Sequence, residues 1–303
     1  MTAAPPGRAV PDGLGAGMAA TAGSDSDRRP GSDAGDGSPT MLDPGLTGSP
    51  ARPAPGIDNG YLAGYRVRFD EAGADGHART SSLLRYAQDI AWRHSEDRGF
   101  DRQWYADRAR WWVVRSVLLD VLQPVAMGRT LRLETAVIGH RRIWARRLGE
   151  FHLPDGTLAA VVNTDWVLLD DRGRIIRIPD DFGSAFPNPE IGGEIIRVQP
   201  PATPTDVERL ELSVRPQDLD PMGHVNNGAY LDWIEEGVTA AGDAAAAGAL
   251  PRRVAIEYAA SAEPGSRVHV SAWRDGERAW WIRITGAEDG ADRIRARVEA
   301  PSG

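Results

Sequence analysis

The sequence predicts an α+β fold built twice, with two units in each of which an antiparallel sheet curls around one long helix. Three observations point there. Each half of the chain carries an amphipathic helix followed by several short alternating strands. Each helix is entered through a Gly-His turn, Gly76-His77 and then Gly223-His224, 147 residues apart. A helix followed by strands of this kind buries both elements only if the sheet wraps the helix, so two such units pair as a pseudo-dimer within one chain.

In chain order, residues 1–56 are rich in Gly, Pro, Ala, Ser and Asp and poor in aromatic and β-branched residues, and are expected to form a disordered tail. The "GLGAGM" there (13–18) is no nucleotide loop, because no strand enters it and no helix leaves it. The first unit is expected over residues 57–185. "YRVRF" (65–69) alternates as a strand, and "SSLLRYAQDIAWRHSEDRGF" places Leu83, Leu84, Ala87, Ile90 and Ala91 at helical spacing, with Thr80 or Ser81 as N-cap and Gly99 as the stop. Strands follow at 130–139, 142–153 and 158–170, the last two joined through the hairpin signal Asp155-Gly156. The Pro- and Gly-bearing residues 186–206 read as a linker. The second unit, 207–303, repeats the plan: a strand at 209–216, a helix with Tyr230, Ile234 and Val238 four apart, and strands at 254–260, 267–273, 278–286 and 293–300.

Composition narrows the function. With 303 residues and 41% of them apolar, the chain can bury a substantial core. It has no Cys, which excludes disulfides, thiolate metal sites and a Cys nucleophile, and no Lys, which excludes Schiff-base chemistry and a GxxxxGK[ST] phosphate loop. A net charge of -8 argues against a nucleic-acid partner. No apolar run approaches the roughly 20 residues of a membrane helix and no secretory signal opens the chain, so no membrane partner is expected and a cytoplasmic location is. His77, His94, His140, His152 and His269 show no ligand spacing, and neither a metal nor a cofactor is expected.

The densest polar motif is "DLDPMGHVNNGAYLDW" (218–233), at the start of the second helix. It resembles the signature of hot-dog-fold thioesterases, and the tandem arrangement resembles the acyl-ACP thioesterase family, in which two hot-dog units share a chain. "LLRYAQDIAWRHSEDRGF", "RRIWARR" and "NTDWVLLDDRGRIIRIP" in the first half are similar to that family's equivalents. The resemblance implies a double hot-dog fold and hydrolysis of fatty acyl-ACP. Plant members read DLDxNxHVNNxxY; Asp220 and His224 match, and Met222 stands at the Asn position. Their Glu-Cys pair falls on Ser261 and Ala262. "DLDPMG" is also similar to the D-x-D-P-x-G of 4-hydroxybenzoyl-CoA-type thioesterases, whose second Asp is nucleophile or base, so both resemblances converge on Asp220.

Thioester hydrolysis needs a polarised carbonyl, an attacking oxygen and a proton acceptor. The Gly-His turn at a helix N-terminus supplies backbone N–H donors for the oxyanion, with Gly223 allowing close approach. Asp220 is expected to activate water or to attack directly. His224 orients water, donates to sulfur or holds Asp220 in place. Asn226 is a candidate for catalysis and equally for capping. Val225, Asn227 and Tyr230 are candidate substrate contacts, although Tyr230, like Trp233, also suits the core. Asp218 reads as a turn residue. The first unit lacks this equipment, with Gly73 opposite Asp220 and Arg79 and Thr80 opposite Asn226 and Asn227, so one catalytic centre per chain is expected and the first unit shapes the acyl pocket.

The expected partner is an acidic acyl carrier protein, for which Arg141, Arg142, Arg146 and Arg147 offer a complementary face, with a solvated strand face as the equal alternative. A homodimer is a second expected partner. An acyl-CoA thioesterase and a non-catalytic acyl-thioester-binding module are the competing functions.

Overall fold

The computed structural model describes residues 59–187 and 194–300. The expected tail, part of the expected linker and the last three residues lie outside them. The first half runs β1 (Tyr61–Arg66), α1 (Thr80–Asp97), α2 (Arg102–Arg108), β2 (Arg110–Val121), β3 (Thr130–His140), β4 (Trp144–His152), β5 (Leu158–Asp170) and α3 (Asp180–Ala185). The second half runs β6 (Arg209–Ser213), α4 (Asn227–Ala240), α5 (Ala244–Gly248), β7 (Arg252–Tyr258), β8 (Arg267–Arg274), β9 (Ala279–Gly286) and β10 (Asp292–Glu299).

This is the double hot-dog fold, and its two sheets join edge to edge. The strand order is β1-β3-β4-β5-β2-β7-β10-β9-β8-β6, a single ten-stranded sheet with five strands from each half. The seam is the antiparallel pairing of β2 with β7, from Ser116 opposite Glu257 to Val121 opposite Arg252. Alternation along the strands turns Leu131, Leu133, Phe151, Val270 and Ile282 onto the helices, and Ile90 and Ile234 meet them with no exposed surface.

The 147-residue repeat is visible atom by atom. Asp220 N–H donates to His224 O at 2.7 Å, and Gly73 N–H donates to His77 O at 2.8 Å. Asp218 accepts the Arg215 N–H as Glu71 accepts the Arg68 N–H. Arg85 on α1 and Asp232 on α4 are equivalent residues and pair with each other at 2.8 Å, as self-matching positions do on a two-fold axis.

Two expectations shift in detail. The strand expected at 65–69 lies at Tyr61–Arg66, because Phe69–Glu71 turns as a short 3₁₀ segment whose Glu71 holds the Arg68 N–H and guanidinium. The N-cap of α1 is Arg79, without a side-chain cap, while Gly99 ends the region at φ +85 as expected.

The described part of the linker lies strapped over the outer face of the sheet. Ile196 N–H donates to Asp165 at 2.8 Å, Val198 N–H to Glu257 at 3.0 Å, and Arg146 to Glu194 O at 3.1 Å. Glu257 also meets Arg115 at 2.8 Å, so the linker ties down both sides of the β2–β7 seam.

Close packing of α4 on β8 depends on one glycine. A Cβ at Gly237 would stand 2.5 Å from Val270 Cγ1. Gly237→Ala is expected to lower stability by about 1–3 kcal/mol through overpacking, exceeding the roughly 1 kcal/mol of helix propensity that alanine adds. Chemical denaturation measures it; a raised midpoint would mean that the helix shifts without cost.

Candidate active site

The loop that enters α4 closes on Asp220. Its Oδ1 accepts the Met222 N–H at 2.9 Å and the His224 N–H at 3.1 Å, and Gly223 N–H donates to Asp220 O at 2.9 Å with Gly223 at φ +78. A carboxylate two residues before an Asx-type turn folds the chain this way, and glycine takes the left-handed position. One carboxylate oxygen is thus fixed by backbone, and Oδ2 has no hydrogen-bond partner among the described residues. Asp220 is half-buried and His224 exposed.

His224 holds Asp220 through its main chain. No ion pair joins the two side chains among the described residues, whereas in the first unit Asp75 Oδ2 lies 3.5 Å from His77 Nδ1. The acid there has moved two positions along the turn, to the position equivalent to Met222.

The oxyanion donors differ from those expected at the Gly-His turn. The N–H groups of Met222, Gly223 and His224 all serve Asp220. At the helix start, Asn226 Oδ1 accepts the Gly228 N–H at 2.8 Å and Asn226 O the Ala229 N–H at 2.9 Å. That leaves the Asn227 N–H as the first-turn donor without a partner among the described residues, on the positive end of the helix dipole. Asn227 O accepts from Tyr258 OH at 3.3 Å.

The other motif residues divide by burial. Asn226 is the N-cap of α4, and Asn226→Ala is expected to cost about 1 kcal/mol. Comparing its melting with its turnover separates capping from catalysis, since a catalytic amide would cost rate well beyond what that loss of stability explains. Val225 is 4% exposed and bridges to Leu219, and Tyr230 is 2% exposed, its hydroxyl oxygen accepting the Ala262 N–H at 2.8 Å. Both serve the core; Tyr230 fixes the loop after β7, where Ser261 is exposed and Ala262 buried. Burial raises the Tyr230 hydroxyl above its ordinary value. Asp218 is 4% exposed and bonded to Arg215, the turn residue expected. Met222 is 49% exposed.

The four arginines read as one face are split by strand alternation. Arg146 lies on the outer face, bonded to Asp165 through Nε at 2.6 Å and NH2 at 2.9 Å. Arg147 points inward and is 7% exposed. Neither offers charge to a partner, which corrects that part of the expected surface. Arg142 and Arg177 are exposed and line an open cleft of about 710 Å³ with His140, Arg141 and Asp180. Among the described residues, the one group arranged to hold a cation is Glu134, Glu150 and His152, and the Arg132 guanidinium already stands 2.7 Å from Glu134.

The acyl-ACP thioesterase N-terminal domain model matches residues 58–186 and the acyl-ACP thioesterase C-terminal domain model matches residues 202–299. The chain belongs to the acyl-ACP thioesterase family. Oleoyl-acyl carrier protein thioesterase 1, chloroplastic, of Arabidopsis thaliana is 24% identical over 200 residues, 59% of this chain and 54% of that protein. The acyl-[acyl-carrier-protein] hydrolase FATB2, chloroplastic, of Cuphea viscosissima is 25% identical over 195 residues, 58% and 46%. The chain thus spans about half the length of the curated relatives it matches. Among solved structures, the 12:0-ACP thioesterase from Umbellularia californica superposes with a TM-score of 0.66 at 20% identity, covering 80% of this chain and 97% of that one. An acyl-ACP thioesterase from Bacteroides thetaiotaomicron gives 0.67 at 14%, with the same coverage. In family terms, the match places the Asp220 loop in the C-terminal unit and the inward-facing Arg147 in the N-terminal one.

Proposed function

We propose that the protein hydrolyses the thioester of fatty acyl-ACP to free fatty acid and holo-ACP. The observation that carries this reading is the Asp220 carboxylate, one oxygen held by the loop backbone and the other without a partner among the described residues, in the loop that leads into a helix N-terminus whose Asn227 N–H also has none there. The carbonyl oxygen of the substrate takes the Asn227 N–H. In one route Asp220 Oδ2 accepts a proton from the attacking water, the C–S bond breaks, and a proton reaches the leaving sulfur through exposed His224, which Asp220 then reprotonates. In the other Oδ2 attacks the carbonyl carbon, the thiolate leaves as an acyl-Asp220 anhydride forms, and a water opens that anhydride to free fatty acid and supplies the proton taken by sulfur. Ser261 and Ala262 stand where plant members carry Glu-Cys, so Asp220 and His224 bear the proton transfers here. An oxyanion donor of this kind is typically worth about 3–4 kcal/mol of barrier.

The carrier is acidic, and the cleft bordered by Arg142 and Arg177 is the surface proposed for it. Charge reversal at both, Arg142→Glu with Arg177→Glu, is expected to raise KM for acyl-ACP about ten-fold while leaving acyl-CoA turnover unchanged. An equal effect on both substrates, or none, would favour acyl-CoA hydrolysis. Acyl-ACP binding with no measurable turnover would favour a non-catalytic acyl-binding module. Among the described residues no helix is long and apolar enough to cross a membrane; a cytoplasmic site of action is part of this reading.

A further inference from the structure

We propose that Arg115 of the N-terminal unit is a positioning residue for the catalytic helix, and that through Tyr258 it sets where the Asn227 N–H stands. The inference rests on the thioesterase reading for the use of that N–H as oxyanion donor. Arg115 lies in β2 where the pairing with β5 slips by one residue, Val114 standing opposite Trp166 and Ser116 opposite Asp165. It is the extra residue of a β-bulge, a device that bends a strand and re-aims one side chain. The seam with β7 begins one residue later, at Ser116 opposite Glu257, so the β2 ladder stops short of Tyr258. The Arg115 guanidinium takes over there, donating to Tyr258 O across the seam and to Glu257 Oε1 at 2.8 Å.

Glu257 fixes this clamp. It is 1% exposed, its Oε2 accepts the Val198 N–H at 3.0 Å, and Arg197 stands 3.4 Å from Oε1. A guanidinium bonded both to a buried carboxylate and to a main-chain carbonyl has little freedom, because moving it strands a buried charge.

Tyr258 is the next link. It is 8% exposed, its hydroxyl donates to Asn227 O at 3.3 Å, and its ring meets Tyr230 edge-on with centroids 6.0 Å apart. Burial, with Tyr230 beside it, raises the Tyr258 hydroxyl above its ordinary value, so it remains a donor through the neutral range. The first turn of α4 is thereby held from the side by a strand end that the other unit holds in turn. The first N–H groups of a helix have no intrahelical bonds, so the direction of the Asn227 N–H depends on such outside contacts. A displacement of about 1 Å at a reacting centre can cost on the order of 10²-fold in rate.

The test uses Tyr258→Phe, Arg115→Met, Arg115→Lys and the double variant of Arg115→Met with Tyr258→Phe, each assayed for kcat and KM on acyl-ACP with melting followed in parallel. Tyr258→Phe keeps the ring and removes only the hydroxyl. It is expected to lower kcat about ten-fold with KM and melting nearly unchanged. Arg115→Met is expected to lower kcat about as much, Arg115→Lys to restore part of it, and the double variant to lose little more than the worse single one, because the two residues act along one path. A Tyr258→Phe rate equal to the wild type overturns the proposal, as does a double variant whose loss is the product of the two single losses. The amide resonance of Asn227, read by NMR, needs no turnover. Among the described residues Arg115 bonds to neither Asn227 nor Asp220, so a shift of that resonance in Arg115→Met reports positioning at a distance. That shift with no hydrolysis of any thioester supports the proposal and overturns the catalytic reading instead, and an unmoved resonance overturns the proposal. If Arg115→Met fails to fold, Tyr258→Phe and Arg115→Lys decide.

Discussion

Asp220→Asn is expected to lower kcat/KM for acyl-ACP by about 10²–10⁴-fold while leaving the melting temperature nearly unchanged. The asparagine keeps an oxygen for the Met222 and His224 N–H groups, so the turn survives, and loses only the negative charge and the proton-accepting oxygen. Asp220→Ala would confuse the two effects, because it removes the acceptor that folds the loop. Activity assays on acyl-ACP and acyl-CoA panels, with melting followed in parallel, separate catalysis from folding. Wild-type rates in Asp220→Asn would reduce Asp220 to a turn former.

The largest loss of stability is expected from Asp165→Ala, about 3–5 kcal/mol. Asp165 has no exposed surface and accepts from Arg146 Nε and NH2, Ser116 Oγ and the Ile196 N–H. Removing it strands a largely buried guanidinium and two further donors and releases the linker from the sheet. Replacing the pair together, Asp165→Leu with Arg146→Met, is expected to cost less than Asp165→Ala alone, since no charge is then left without its partner. Denaturant unfolding measures both, and a loss for Asp165→Ala within the range of ordinary surface substitutions would show that this cluster is solvated.

Much of this architecture is legible in the residues. The repeat is readable because the Gly-His turn keeps its length in both halves, and the second-unit strands because one face is apolar and the other polar, as in Val268 and Val270 against Arg267 and His269. The seam strand β2 escapes such a reading. "RWWVVRSVLLDV" has two short apolar runs broken at its centre by Arg115-Ser116, where its register against β5 shifts, so no single period-two signal runs through it. Its pairing with β7 joins residues more than a hundred apart and leaves no local trace. The Arg146-Arg147 pair misleads for a different reason: adjacent strand residues point to opposite faces, so a basic dipeptide is no patch. Gly149 and Phe151, two and four residues on, already mark the inward face that Arg147 shares. The open donor at Asn227 could not be read from sequence either, because which N–H groups remain unpaired depends on how Asp220 and Asn226 spend their side chains.

The most direct measurement is a crystal structure of the full chain with a non-hydrolysable acyl-pantetheine amide. The expected result has the amide oxygen about 3 Å from the Asn227 nitrogen and the carbonyl carbon facing Asp220 Oδ2. An acyl carbonyl bound away from the 220–227 segment, with the Asp220 carboxylate open only to solvent, would contradict the catalytic role given to this loop.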